Sequence, residues 1–285
     1  MIIIKVIGGY GNQLFNYALA KSFQNRGRKV RLDWSFYDVQ GQANDFRIPI
    51  KNYIGIDIKE ASRLDIFYCE LANKLKREPN LIVEKYDNPV DVDELLKLDD
   101  KILVGYWQNK ELFNNIKDDV SGYFRREFEK NLNVYSAGVL SEINSIAESV
   151  AIHVRGGDYL KDENKITFGN ICDKSYYENA MKLIIENRNI NMSNVKIFVF
   201  TNDTEYASLV LPEQYTYNYV NNSEADGYMD VYLMSKCKNL IIANSTFSWW
   251  GAYISDNDEK LVVMPKKWKN RHVRESMECD GWKAI

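Results

Sequence analysis

Four short stretches carry the residues whose types and spacing could do chemistry. The first is Gly8-Gly9-Tyr10-Gly11-Asn12-Gln13. Small residues let a ligand come close to the backbone where a strand turns into a helix, which makes Gly11, Asn12 and Gln13 candidates to contact it. The stretch is neither a Gly-Lys-Ser/Thr phosphate loop nor the full Gly-x-Gly-x-x-Gly dinucleotide pattern, and a tight strand-to-helix turn explains it equally well. The second is His153-Val154-Arg155-Gly156-Gly157-Asp158-Tyr159. Strand alternation puts His153 and Arg155 on one side. An arginine there can hold a diphosphate bidentately, and Asp158 can fix the arginine or a sugar hydroxyl. A purely structural Arg–Asp pair is the competing reading. The third is Asn244-Ser245-Thr246-Phe247-Ser248, which follows an apolar run over residues 239–243 and precedes a periodic segment with Trp250, Ala252 and Ile254. Strand, polar turn and helix in that order present free N–H groups and a positive dipole end, a fit for phosphate; simple helix capping is the alternative. Thr201-Asn202-Asp203, at another strand end, suits a base or ribose hydroxyl, again with capping as the alternative.

Other acidic and metal-type residues point away from a metal site. Asp91-Val92-Asp93 has the spacing of a metal-binding pair, but it follows Pro89 and opens a helical pattern at Glu94, where acids favour the helix dipole. Asp226 and Asp230 flank a glycine before a helix and read as capping residues. Cys69, Cys172, Cys237 and Cys279 form no Cys-x-x-Cys pair, and His153 and His272 are the two histidines, which argues against zinc and for free thiols in a reducing compartment.

The elements that must position these stretches alternate. Strands are expected over residues 1–7, 29–33, 102–107, 150–154, 196–201, 215–220, 239–243 and 260–264. Helices are expected over 13–25 (ended by Gly27), 59–75, 91–98, 110–130 with a break at Gly122, 136–147, 175–187, from 204, 230–237, and after 246. Residues 39–58 look irregular, and the tail, with Trp268 and Trp282, is expected to pack back across the first domain. The alternation argues for parallel sheets in an α/β protein built of two Rossmann-like domains facing a cleft, with boundaries at 1–148 and 149–285.

The 285 residues, at 45% hydrophobic and 27% charged, are ordinary for a globular protein, and a net charge of −3 gives no field that would favour nucleic acid. No run reaches the roughly 18 apolar residues of a membrane span. The chain is expected to be cytoplasmic, at most peripheral at the inner membrane; Lys266, Lys267, Lys269 and Arg271 could touch an anionic surface, but a solvated face is the favoured reading of that patch. The 13% aromatic content leaves a non-catalytic carbohydrate-binding protein as a rival reading.

Together, residues 8–18, 153–159 and 244–252 resemble the motifs of glycosyltransferase family 11, the α-1,2-fucosyltransferases, in order and spacing. Phe200-Thr201-Asn202-Asp203 is similar to the family's Phe-Ser-Asp-Asp segment. The resemblance implies a GT-B-like fold, GDP-fucose as donor, no metal cofactor, and inverting transfer to the 2-hydroxyl of a terminal galactose on an oligosaccharide or lipid-linked glycan. It also implies that Arg155 meets the donor's β-phosphate, with Ser245, Thr246 and Phe247 beside it. Asp158 and His153 are the candidate general bases. The family's second arginine in its His-x-Arg-Arg-x-Asp motif is Gly156 here. A neighbouring GDP-sugar such as GDP-colitose is the alternative donor. The acceptor site is unassigned, with Trp34, Tyr37, Asp38 and Trp107 as guesses.

Overall fold

The structure is a computed structural model describing residues 1–38, 48–85, 91–191, 194–223, 226–270 and 277–285. It divides into two compact units, Met1–Glu127 and Phe128–Ile285. The junction falls before the helix Val134–Ser145, which a boundary near 148 would leave in the first domain.

The first unit is a four-stranded parallel sheet of order β2-β1-β4-β3, from β1 (Ile2–Lys5), β2 (Val30–Asp33), β3 (Leu81–Val83) and β4 (Lys101–Val104). Ile2, Ile3 and Ile4 are fully buried because β1 is central and covered on both faces. Helix α1 (Tyr10–Asn25) crosses from β1 to β2. Gly27, at φ +74°, ends it as expected: the Arg28 N–H reaches Phe23 O and the Gly27 N–H reaches Gln24 O, the paired bonds of a left-handed glycine cap. Helix α2 (Arg63–Lys76) starts later than expected, because Ser62 and Asp65 form a reciprocal capping box at its start. Asp91 caps α3 (Val92–Lys97) by accepting from the Glu94 N–H at 2.9 Å, the helix-start role expected of it.

One expectation fails in this unit, and one strand was not anticipated. Residues 110–130 are not one helix: two 3-10 turns, Lys110–Leu112 and Asn114–Ile116, precede α4 (Lys117–Lys130). The Asn109 side chain caps the first turn, Phe113 at φ −141° ends it, Asp118 and Asp119 open the true helix, and Gly122 sits inside it without a break. The strand β3 lies at the sheet edge with Leu81 and Val83 exposed, so its three residues carry no burial pattern to read. Residues 39–47 of the expected irregular segment, Pro89, Arg271 and His272 lie outside the described residues.

The second unit is a six-stranded parallel sheet of order β10-β9-β8-β5-β6-β7. Its strands are β5 (Glu148–Val154), β6 (Val195–Thr201), β7 (Tyr217–Val220), β8 (Asn239–Ile241), β9 (Leu261–Met264) and β10 (Lys283–Ala284). Helices α6 (Asp162–Phe168) and α7 (Lys174–Arg188) follow β5, and Val150, Ile152, Val154, Ile197, Val199, Ile241 and Val263 make the core with Tyr177 and Ile184 of α7. Helix α5 (Val134–Ser145) packs on α9 (Tyr228–Lys236), and α9 packs on α10 (Thr246–Tyr253). The described end of the tail, residues 277–285, packs within this unit. Trp249 donates its indole N–H to Met277 O at 2.7 Å and packs against Trp282, which leads straight into β10 beside β9. Trp249 and Trp250 are thus core, and residues 282–285 of the tail join the second unit's own sheet.

Gln13 is 1% exposed and spends both ends of its amide on backbone: Nε2 donates to Gly8 O (3.1 Å) and Ile48 O (3.0 Å), while Oε1 accepts from the Ile50 N–H (2.6 Å). Gln13→Ala strands buried backbone groups and should cost about 1–3 kcal/mol in urea unfolding. An unchanged midpoint would show that the brace carries no stability.

Candidate functional site

In the second unit the chain runs from β5 outward to β6 and β7, then returns to the other side of β5 for β8, β9 and β10. Strand order therefore reverses between β5 and β8, and in an open parallel sheet ligands bind at the carboxyl ends on either side of such a reversal. The stretch 153–159 leaves β5 there and the stretch 244–248 leaves β8 there. Helix α7 secures both exits: Tyr177 Oη donates to His153 O at 2.9 Å and Tyr176 Oη donates to Ile242 O at 2.6 Å. No periodicity in the sequence singles out those hydroxyls.

Arg155 stands at the exit of β5. Its Nη2 lies 2.7 Å from Asp158 Oδ1, and its guanidinium lies over the Tyr159 ring at 5.4 Å. Its Nε is buried and has no hydrogen-bond partner among the described residues. A buried unmet donor costs about 1–3 kcal/mol, so it calls for an explanation. His153 is 3% exposed, lies against the Phe247 ring at 5.5 Å, and its Nδ1 is likewise without a partner among the described residues. Burial, and secondarily the Arg155 charge, pushes its pKa down to about 3. The imidazole is neutral at ordinary pH and is a weak base, while Asp158 stands beside the guanidinium as a charge partner.

The turn that carries Arg155 is built against β6. Gly157 has φ +56°, a left-handed conformation open to glycine. Its N–H donates to Asp203 Oδ2 at 3.0 Å, and the Gly156 N–H donates to Asn202 Oδ1 at 3.1 Å. A Cβ on Gly156 would meet Asp203 Cβ at 2.6 Å, and one on Gly157 would meet Asn202 Nδ2 at 2.6 Å. Asp203 also caps α8 (Thr204–Val210) by accepting from the Tyr206 N–H at 2.9 Å. Asn202 and Asp203, read from sequence as groups for a base or ribose, thus grip the arginine's turn. Gly156 has a local reason of its own: no side chain fits there while Asp203 stands where it does.

The third stretch divides the same way. Asn244 is 3% exposed and fully engaged: Nδ2 donates to Phe168 O (3.1 Å) and Trp268 O (3.3 Å), Oδ1 accepts from Cys172 Sγ (3.6 Å), and its carbonyl accepts from Tyr159 Oη (3.2 Å). Ser248 is fully buried, with Oγ donating to Ala243 O and Ser245 O. Ser245 is the N-cap of α10, its Oγ accepting from the Phe247 N–H at 3.4 Å. Thr246 and Phe247, half-buried in the first turn of α10, are the members of this stretch at the surface of the crevice.

One group on this edge, read from sequence as a helix cap, caps nothing: the N-cap of α9 is Gly227, with no side-chain cap bond. Asp230, partly buried in the first turn of α9, accepts from Asn222 Nδ2 at 2.6 Å, and Asn222 in turn accepts from Ser136 Oγ at 3.0 Å. Burial pushes its carboxyl up to about 7. Because α9 runs from the carboxyl end of β7 back to β8, its first turn lies on the same edge as Arg155. The raised pKa, which sequence does not display, is the signal that separates Asp230 from an ordinary cap.

In the first unit the order reverses between β1 and β4. Gly8, at φ +84°, leaves β1, and Gly9 caps α1, so Gly11, Asn12 and Gln13 lie inside the helix and not in the turn before it. Gly11 is buried, Asn12 Oδ1 accepts from Gln108 Nε2 at 2.8 Å, and Gln13 is the brace described above. Trp107, at φ +51° and 2% exposed, follows β4; its N–H and that of Tyr106 donate to Glu84 Oε2. Tyr37 donates to Gly8 O at 2.8 Å, while Trp34 is 6% exposed. Of the basic patch, Lys269 lies over the Phe168 ring at 5.6 Å.

A family model described as Glycosyl transferase family 11 matches residues 4–285. An O-antigen biosynthesis glycosyltransferase, WbnK, of Escherichia coli is 29% identical over 96% of this chain and 97% of its own. An alpha-1,2-colitosyltransferase of Escherichia coli is 26% identical over 98% of this chain and 96% of its own. A solved alpha-1,6-fucosyltransferase, NodZ, co-crystallized with GDP is 15% identical, covering 88% of this chain and 91% of that chain at a TM-score of 0.44.

Two outcomes follow. Gly156→Ala should lower stability by about 1–3 kcal/mol in chemical unfolding, and Gly156→Ala/Asp203→Gly should cost less than the two single changes added; simple additivity would show that the two positions do not meet. His153 takes up its proton near pH 6.5 when unfolded and near 3 when folded, so its stabilising contribution is present above 6.5 and lost as pH falls toward 3. His153→Gln should therefore lose less stability than the parent between those limits, and parallel pH curves would contradict it.

Proposed function

The chain belongs to glycosyltransferase family 11, and from that premise we propose that it transfers fucose from GDP-fucose to the 2-hydroxyl of a terminal galactose, with inversion and without a divalent metal. The observation that carries the reading is the buried, unmet Nε of Arg155 at the strand reversal of the second unit, beside the first turn of α10. A diphosphate oxygen satisfies that donor and neutralises its charge. In the reaction the acceptor oxygen bonds to the donor's anomeric carbon, the bond from that carbon to the β-phosphate oxygen breaks, and GDP leaves. Negative charge grows on the diphosphate, where Arg155 and the positive dipole end of α10 are already oriented. The acceptor's proton passes to a base. Of the two candidates Asp158 carries the charge, and the neutral His153 is left to donate or accept a hydrogen bond. Asn202, Asp203, Asn244 and Ser248 then act by holding the site's shape. Gly11, Asn12 and Gln13 do the same for the first unit's turn.

Asp230 is our candidate reader of the base. Guanine presents N1–H and N2–H donors side by side, and a carboxylate accepts both. Adenine offers no such pair, so the choice of a guanosine donor would reside there.

A second reading keeps the nucleotide site and exchanges the sugar. The relative named as an alpha-1,2-colitosyltransferase covers nearly the whole chain, which supports GDP-colitose as the alternative. A role in O-antigen assembly, with a lipid-linked glycan as acceptor, is supported by the name of the other Escherichia coli relative.

Purified protein with GDP-fucose, GDP-colitose and galactose-terminated acceptors, in EDTA, with product linkage read by NMR, tests the assignment. Fucosylation at the 2-hydroxyl is expected; a requirement for manganese or transfer from colitose alone would overturn it. Arg155→Ala should lower turnover by about two to three orders of magnitude with the fold intact. Asp230→Asn should weaken GDP about 10- to 100-fold, the worth of a charged hydrogen bond, and ADP should not compete in either protein. The sign of its stability effect is opposite. The folded carboxyl holds its proton up to about pH 7 and the unfolded one to about 3.8, so stability falls as pH rises through that window. Without nucleotide, Asp230→Asn should melt above the parent at pH 8, with the gap closing near pH 4.

A further inference from the structure

We propose that the outer face of α2 is a contact site for an anionic lipid surface. The helix buries Cys69 and Asn73 against its own unit. Its opposite side exposes Leu64, Phe67, Tyr68, Leu71 and Leu75, from 39% exposed at Leu71 to 77% at Leu75. At about 100° per residue these five positions fill one stripe about 100° wide, so they form a face and not scattered single residues. A contiguous exposed apolar face, unlike single scattered residues, calls for an occupant.

The charge pattern chooses the occupant. Arg63 and Lys74 project along one margin of the stripe, both exposed and neither in an ion pair among the described residues. Lys76, on the far side, is paired with Asp100. Glu70 lies one step beyond the cationic margin. Leucines and aromatic rings flanked by free cations are the composition of a helix that lies in a lipid headgroup layer, its rings in the acyl boundary and its cations on phosphates. A second copy fits less well. Two such helices face to face and antiparallel bring Arg63 of one toward Lys74 of the other, so like charges meet at the rim of a small apolar contact. A parallel pair sets the cationic margin of one copy against the Asp65 and Lys76 margin of the other and leaves Lys74 with no carboxylate of its own, whereas an anionic surface receives both cations.

The proposal goes beyond the transfer reading and does not need it: the surface contact stands whatever sugar is moved. Under that reading, it would bring the enzyme to an acceptor carried on lipid.

The test is co-sedimentation of the full chain with vesicles of phosphatidylglycerol and phosphatidylethanolamine, against vesicles of phosphatidylcholine alone. Binding to the anionic vesicles is expected, weakened by salt. Phe67→Ser/Leu75→Ser should bind about tenfold or more weakly, and Arg63→Gln/Lys74→Gln should lose its preference for the anionic vesicles. All four side chains are exposed, so unchanged melting and unchanged transfer to a water-soluble acceptor serve as the control for folding. Failure to sediment with either vesicle, or equal binding by the variants, would overturn the proposal. So would a dimer in sedimentation velocity that Phe67→Ser/Leu75→Ser dissociates, since the occupant would then be a second copy. Failure of the transfer reading would appear only in the donor panel and would leave the vesicle result standing.

Discussion

The second unit is organised around one constraint: a guanidinium must be held at the exit of a buried strand with part of its donor set unspent. A charge in such a place is costly unless it is met. Asp158 meets one end of Arg155 and the Tyr159 ring supports its face. The Nε remains unmet. Around that atom the molecule is rigid. The turn after Arg155 is fastened to β6 by two backbone-to-side-chain bonds, the strand before it by Tyr177, and the neighbouring turn after β8 by Tyr176 and Asn244. Rigidity of this kind lets a site present charge without reorganising when the reaction demands it.

Most polar residues that draw the eye in the sequence turn out to serve that rigidity. Gln13, Asn202, Asp203, Asn244 and Ser248 have donors and acceptors of the right type for a ligand, but each is spent on a neighbouring loop or strand end. Type and spacing in a chain show where a polar group lies along it and say nothing about what shares its surroundings. Burial settles the difference, and burial is a property of the fold. The same gap hid Asp230: in sequence it is one more acid before a helix, and only desolvation of its carboxyl sets it apart.

What was legible followed from local rules. The βα alternation, the parallel sheets, the glycine cap after α1 and the aspartate cap of α3 are each decided within a few residues by β-branched runs and capping chemistry. What was not legible depended on distant partners. The three residues of β3 form a strand because β4 is beside them. Residues 110–116 form two separate 3-10 turns because the backbone turns extended at Phe113, between an asparagine-capped turn and the next. The tail joined β9 because Trp249 and Trp282 hold it there. The apolar stripe of α2 belongs with these: periodicity marks the helix, and only the fold reveals that the stripe points outward.

The central claim, that Arg155 spends its free donor on a guanosine diphosphate, can be watched at the atom concerned. In protein carrying ¹⁵N-labelled arginine, with the Arg155 Nε–H signal assigned by its loss in Arg155→Lys, GDP is added in the presence of EDTA. The account predicts that this signal shifts strongly downfield and its exchange with solvent slows as the nucleotide saturates. A signal that stays in place while GDP binds, or GDP binding that appears only when a divalent ion is restored, would contradict it.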